Sequence, residues 1–95
     1  MGKPEVYVEN YLRDKGKEHG FLCWKFVSPA HAGVPDRVII GHGKTMFVET
    51  KAPGQKARPL QLAVHKQMRE YGADVRVIDT REGVDALYEE LLADE

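Results

Sequence analysis

The chain has 95 residues, 42% hydrophobic and 31% charged, with a net charge of −1. That balance excludes a disordered chain and fits one domain, residues 1–95, with a modest core. No apolar run approaches the roughly 20 residues of a membrane span. The start, "MGKPEVYVEN", lacks a signal-peptide core, and the single Cys23 cannot form an internal disulfide. A reducing, cytoplasmic setting is therefore expected.

In chain order, Pro4 to about His19 reads as a helix, with Val8, Tyr11 and Leu12 at helical spacing and Gly20 as its stop. "FLCWKFV", Phe21 to Val27, is rich in aromatic and β-branched residues and predicts a strand. Leu22, Trp24 and Phe26 alternate along it and are expected in the core. "PDRVIIG" and "TMFVETK" predict two more strands around a Gly-rich turn. Pro59 opens a second helix, Leu60 to Tyr71, which Gly72 ends. "DVRVID" predicts a strand. Thr80 then caps a last helix with Val84, Leu87, Tyr88 and Leu91 on its buried side. The order αβββαβα implies an α/β fold, a mixed sheet with helices on its faces.

The central hairpin carries an anomaly. A two-residue turn at His42-Gly43 sets Gly41 against Lys44, and a four-residue loop keeps the same register. Either places Asp36 opposite Glu49, with β-carbons about 4.5–5.5 Å apart, where like charges destabilise. A three-residue loop with a bulge would break that register. A divalent cation between the two carboxylates turns the repulsion into coordination. Lys51 follows Glu49 by two residues and shares its face, with Phe47. Two acids and a lysine at one end of a hairpin are the equipment for phosphodiester hydrolysis. The charge pattern agrees with a nucleic-acid partner. From Thr50 to Arg69 there are five cations (Lys51, Lys56, Arg58, Lys66, Arg69) and no acid. Glu82 to Glu95 holds six acids and no Lys or Arg.

Pro35-Asp36 followed by Glu49-Thr50-Lys51 spells the PD-(D/E)xK nuclease signature. With "KFVSPAHAGVPDRVII" and "FVETKAPGQKARPLQ" around it, the chain resembles the virus-type replication-repair nucleases, the VRR-NUC family, in their stand-alone phage or bacterial form. The likeness runs from Glu5 to about Asp79. It implies a restriction-endonuclease-like αβββαβ core, with the C-terminal helix added. It also implies Mg²⁺ or Mn²⁺ dependence, DNA as substrate and a homodimer acting on Holliday junctions or other branched DNA. By the match, Asp36 and Glu49 bind metal, the Thr50 carbonyl adds a ligand, and Lys51 is the catalytic lysine. A helix-one glutamate completes the metal set; Glu9, just before "NYL", matches better than Glu5. Gln61 supports the active site.

The free N–H groups at the start of the second helix, with Lys56 and Arg58 before them, suit a phosphate. Lys66 and Arg69 extend that basic surface. His65 is expected at the surface, and Ser28 and His31 are candidate contacts to DNA or water. Cys23, His31, His42 and His65 lack zinc-site spacing. The leading reading is a structure-selective DNA endonuclease. A non-catalytic DNA-binding or assembly module on a nuclease fold is the alternative, and a phosphoesterase acting on RNA or nucleotides a weaker third.

Overall fold

The computed structural model describes residues 4–93. Seven elements follow in order: α1 (Pro4–Glu18), β1 (Leu22–Lys25), β2 (Arg37–Gly41), β3 (Lys44–Thr50), α2 (Pro59–Glu70), β4 (Val75–Ile78) and α3 (Arg81–Leu92). The sheet order is β1-β2-β3-β4. β1, β2 and β3 form an antiparallel meander, and β4 joins β3 in parallel after the α2 crossover. The expected mixed sheet and αβββαβα order hold. β1 is shorter than Phe21–Val27. At one end the Phe21 N–H is committed to the Gly16 carbonyl of α1 (2.8 Å), and at the other Phe26 keeps a single bond to Asp36 (2.7 Å). Among the described residues no helix is long and apolar enough to cross a membrane.

The core lies on one face of the sheet. Ile39, Met46 and Val48 meet Val8 and Leu12 of α1 and Val84, Leu87, Tyr88 and Leu91 of α3. The four α3 residues are those expected from helical spacing, and the Thr80 hydroxyl caps that helix by accepting from Gly83 at 2.9 Å. Tyr88 buries its ring and donates to the Leu12 carbonyl at 2.7 Å. Burial pushes its hydroxyl well above the usual tyrosine range.

The opposite face is only half covered. α2 packs toward β4, which leaves the β1–β2 end of that face open. Trp24 is therefore 59% exposed, Leu22 47%, and Ile40 also lies in solvent. Trp24 and Leu22 are thus surface residues, contrary to the expectation that strand alternation buries them. Alternation fixes which residues share a face; it does not fix whether a helix reaches that far. Phe26 is partly sheltered by a tilted contact with Phe47, 5.1 Å between ring centres.

Candidate active site

The hairpin sets the site. His42 and Gly43 both have positive φ, 53° and 77°, as a tight two-residue turn matched to strand twist requires. The register then runs from Gly41↔Lys44 to Arg37↔Val48, as the two-residue turn predicts. One step beyond the last pair, the same register sets Asp36 against Glu49. Both acids sit where β2 and β3 part.

Each carboxylate is held. Asp36 Oδ2 accepts from the Thr50 N–H at 3.0 Å and the Thr50 hydroxyl at 2.9 Å. Glu49 is 2% exposed. Its Oε2 accepts from Gln61 Nε2 at 3.1 Å and lies 3.4 Å from the buried Lys51 Nζ. Its Oε1 is buried with no hydrogen-bond partner. Burial above all, then the Asp36 charge, pushes the Glu49 carboxyl up to about 7, against the pull of Lys51. Glu5 adds a smaller push in the same direction.

This oxygen set suits a hard cation. Within a strand residue, N–H and C=O point the same way, so the Thr50 carbonyl, like its N–H, faces β2. The continued register puts Pro35 opposite, which has no N–H to donate. A buried carboxylate oxygen without a partner, a second carboxylate and a strand-end carbonyl make a donor set for Mg²⁺ or Mn²⁺. Among the described residues no group of three or more His, Cys, Asp or Glu side chains is arranged to hold an ion. Asp36, Glu49 and backbone oxygen would therefore carry it.

Glu9 is not brought to the acid pair. Its Oε2 accepts from Lys25 Nζ at 2.7 Å and Arg37 Nε at 2.9 Å. Burial pushes the Glu9 carboxyl up, but bonds from the two cations outweigh it and hold it below the usual range. The α1 acid whose charge reaches Glu49 is Glu5. In this structure the expected helix ligand Glu9 is engaged as the partner of two strand cations. Arg37 is the residue the sequence reading missed. An arginine inside an apolar strand demands a buried acid, and that signal was available.

Gln61 ties α2 to the site. Its Oε1 accepts the Arg58 N–H at 2.8 Å, within the first helical turn, while its Nε2 donates to Glu49. A cleft of about 220 Å³, lined by Ala32, Gly33, Arg58, Leu60 and Gln61, opens beside it. Lys56, Arg58 and Lys66 are exposed. Arg69 differs: its Nε and Nη2 donate to the Val75 carbonyl at 3.1 and 2.7 Å, pinning the end of α2 to β4. His65 is not on the surface, as expected, but 0% exposed, with both ring nitrogens unpartnered. Burial first, then the Arg69 and Lys51 charges, hold its pKa below the usual histidine value. Ser28 and His31 line a separate groove of about 310 Å³ with Phe26, Val64, Met68 and Tyr71.

No family model matches the chain. Over 79 residues, 82% of this chain and 85% of the relative, it is 41% identical to "Putative nuclease p44" of Acyrthosiphon pisum secondary endosymbiont phage 1. A solved structure described as a VRR_NUC domain superposes with a TM-score of 0.85 at 31% identity, over 93% of this chain and 97% of that one.

Proposed function

This chain belongs to the VRR-NUC family, and we propose that it is a Mg²⁺- or Mn²⁺-dependent endonuclease that hydrolyses phosphodiester bonds in branched DNA, Holliday junctions among them. The observation that carries this reading is Glu49, a carboxylate buried beside a second acid with one oxygen unpartnered. A non-catalytic module has no use for so costly an arrangement.

Asp36, Glu49 and the Thr50 carbonyl would hold the ion, with Glu5 as the nearby α1 acid. A divalent ion supplies Lewis acidity there, acidifying water and offsetting charge on the phosphate. The remaining work falls to the chain. The Thr50 N–H and hydroxyl fix Asp36. Gln61 fixes Glu49 Oε2, which leaves Oε1 as the binding atom. Lys51 sits beside Glu49 as a buried donor, able to orient the attacking water or to stabilise charge that develops on the phosphate. Arg58 lines the cleft, and with the exposed Lys56 and Lys66 it would contact the DNA backbone. Arg69 keeps donors for the same task beyond its bonds to Val75. The open sheet face at Leu22, Trp24 and Ile40 supports pairing with a second copy. The lone Cys23 fits a reducing compartment such as the cytoplasm of a bacterial or phage-infected cell.

The test is cleavage of a four-way junction, a flap and linear duplex in Mg²⁺ or Mn²⁺, run beside light scattering. Branched DNA should be cut, and Asp36→Ala should not cut. Wild type that leaves all three intact would end this reading, and a mass of one chain at micromolar concentration would end the dimer.

A further inference from the structure

The groove of about 310 Å³ lies between α2 and the loop that leads into β2. Phe26, Val64 and Met68 give it apolar walls, and Tyr71 adds a ring that is 87% exposed. Ser28 and Gln67 add polar groups, and no Lys, Arg, Asp or Glu lines it.

Two contacts tie this groove to the catalytic end of the sheet. The Phe26 N–H donates to the Asp36 carbonyl at 2.7 Å, so one wall starts at the residue that bears a site acid. At Gly33 the loop touches α2 beside Val64 and the Leu60 carbonyl. That touch divides the groove from the cleft at Gln61: His31 and Val64 line the first, Ala32 and Gln61 the second. The two depressions therefore follow one another along the same loop and the same helix. Val64 and Gln67 lie three and six residues beyond Gln61, about 5 and 9 Å along the helix axis. Stacked bases on one DNA strand are about 3.4 Å apart. The groove is thus about three nucleotides or fewer from a phosphate beside Gln61.

Charge selects what enters. Thr50 to Arg69 holds five cations and no acid. Phosphates are drawn to Arg58 in the cleft and to the exposed Lys66 next to Gln67. The uncharged groove among these cations offers a phosphate nothing. Apolar walls, an exposed aromatic ring and a few polar groups suit a base that has left its stack. A second copy docked here by two-fold symmetry would set this cationic stretch against itself.

We propose that the groove seats one unpaired base of the DNA strand, within about three nucleotides of the cut, and so favours substrates that have an unpaired base there. This rests on the nuclease reading. A base already freed at a branch is the cheapest to seat, because no pair has to be broken. The seat should tolerate any base, since every base has a π face.

The test is an abasic scan. In the branched DNA that wild type cuts, single nucleotides on either side of the cut are replaced in turn by abasic residues. Binding is read by fluorescence anisotropy in chelator, where nothing is cut, and single-turnover cutting is then read in Mn²⁺. One abasic position should weaken wild-type binding about tenfold, within the range for loss of a base–aromatic stack. Tyr71→Ala and Met68→Ala should each weaken binding to intact DNA on the same scale. On DNA abasic at the sensitive position, either variant should cost less than about twofold more, because the seated base is already gone. Equal losses at every abasic position, or losses that add to those of the variants, overturn the proposal. A halved mass in light scattering for either variant assigns the groove to a second copy and overturns it too. The Tyr71 ring is almost fully exposed, so Tyr71→Ala carries the prediction should Met68→Ala fail to fold. Wild type that cuts but is indifferent to every abasic position refutes the base seat alone. Wild type that neither binds nor cuts branched DNA refutes the nuclease reading, and the seat with it.

Discussion

Glu49→Gln tests the site through stability rather than cutting. Glu49 is 2% exposed, and burial with Asp36 alongside raises its carboxyl from 4.5 to about 7. The folded protein therefore binds that proton more tightly than the unfolded chain does. Stability from this group is fully present below about pH 4.5 and is lost as pH rises through 7. A move from 4.5 to about 7 corresponds to about 3 kcal/mol across that window. Gln keeps the size and can still accept from Gln61, but it cannot ionise. Urea unfolding of both proteins in chelator, from about pH 4.5 to 8, should give a stability difference that grows by about 3 kcal/mol. The Gln variant should be the more stable at the alkaline end. Mn²⁺ added at pH 8 should recover wild type and leave the variant unmoved. A difference that stays constant with pH, with equal Mn²⁺ responses, would refute the assignment of Glu49 as a buried carboxylate that requires a cation.

Lys51→Met keeps the buried stem and removes the ammonium, so single-turnover junction cutting should fall about 10²–10³-fold; cutting within a fewfold of wild type would remove its role. Gly33→Ala should destabilise by about 1–3 kcal/mol in urea. Gly33 has φ +91°, and an added methyl would sit 2.9 Å from Val64 Cγ2 and 3.2 Å from the Leu60 carbonyl of α2. Burial, then the Arg69 and Lys51 charges, lower the His65 pKa. Its depressed pKa means stability is lost as pH falls below the ordinary 6.5, so an NMR titration should show its ring protonating below that ordinary value.

The sequence specified the hairpin well, because local chemistry decides it. His42-Gly43 can take positive φ at both positions, the turn fixes Gly41↔Lys44, and every later pair follows. The α3 stripe was equally legible, since Thr80 marks its start and helical spacing its buried side. The choice between Glu5 and Glu9 was not. The two acids share a helix face, and the cations that engage Glu9, Lys25 and Arg37, come from remote strands. His65 and Trp24 were misplaced for one shared reason. How far α2 lies across the sheet is a tertiary fact; it buries a polar ring on the helix and leaves an indole bare on the sheet.

β3 holds partnerships made at very different distances along the chain. Its pairing with β2 closes across His42-Gly43, whereas its pairing with β4 joins Thr50 to Ile78 across all of α2. Local pairing is fast and remote pairing slow, and synthesis delivers the N-terminal part first. On the ribosome the β1–β2–β3 meander can form while α2 is still being made. Glu49 and Lys51 remain hydrated until Gln61 and β4 have emerged. That end of the sheet matures after the meander, so a nascent chain stopped before β4 carries the whole acid–lysine motif without the enclosure that gives Glu49 its altered acidity.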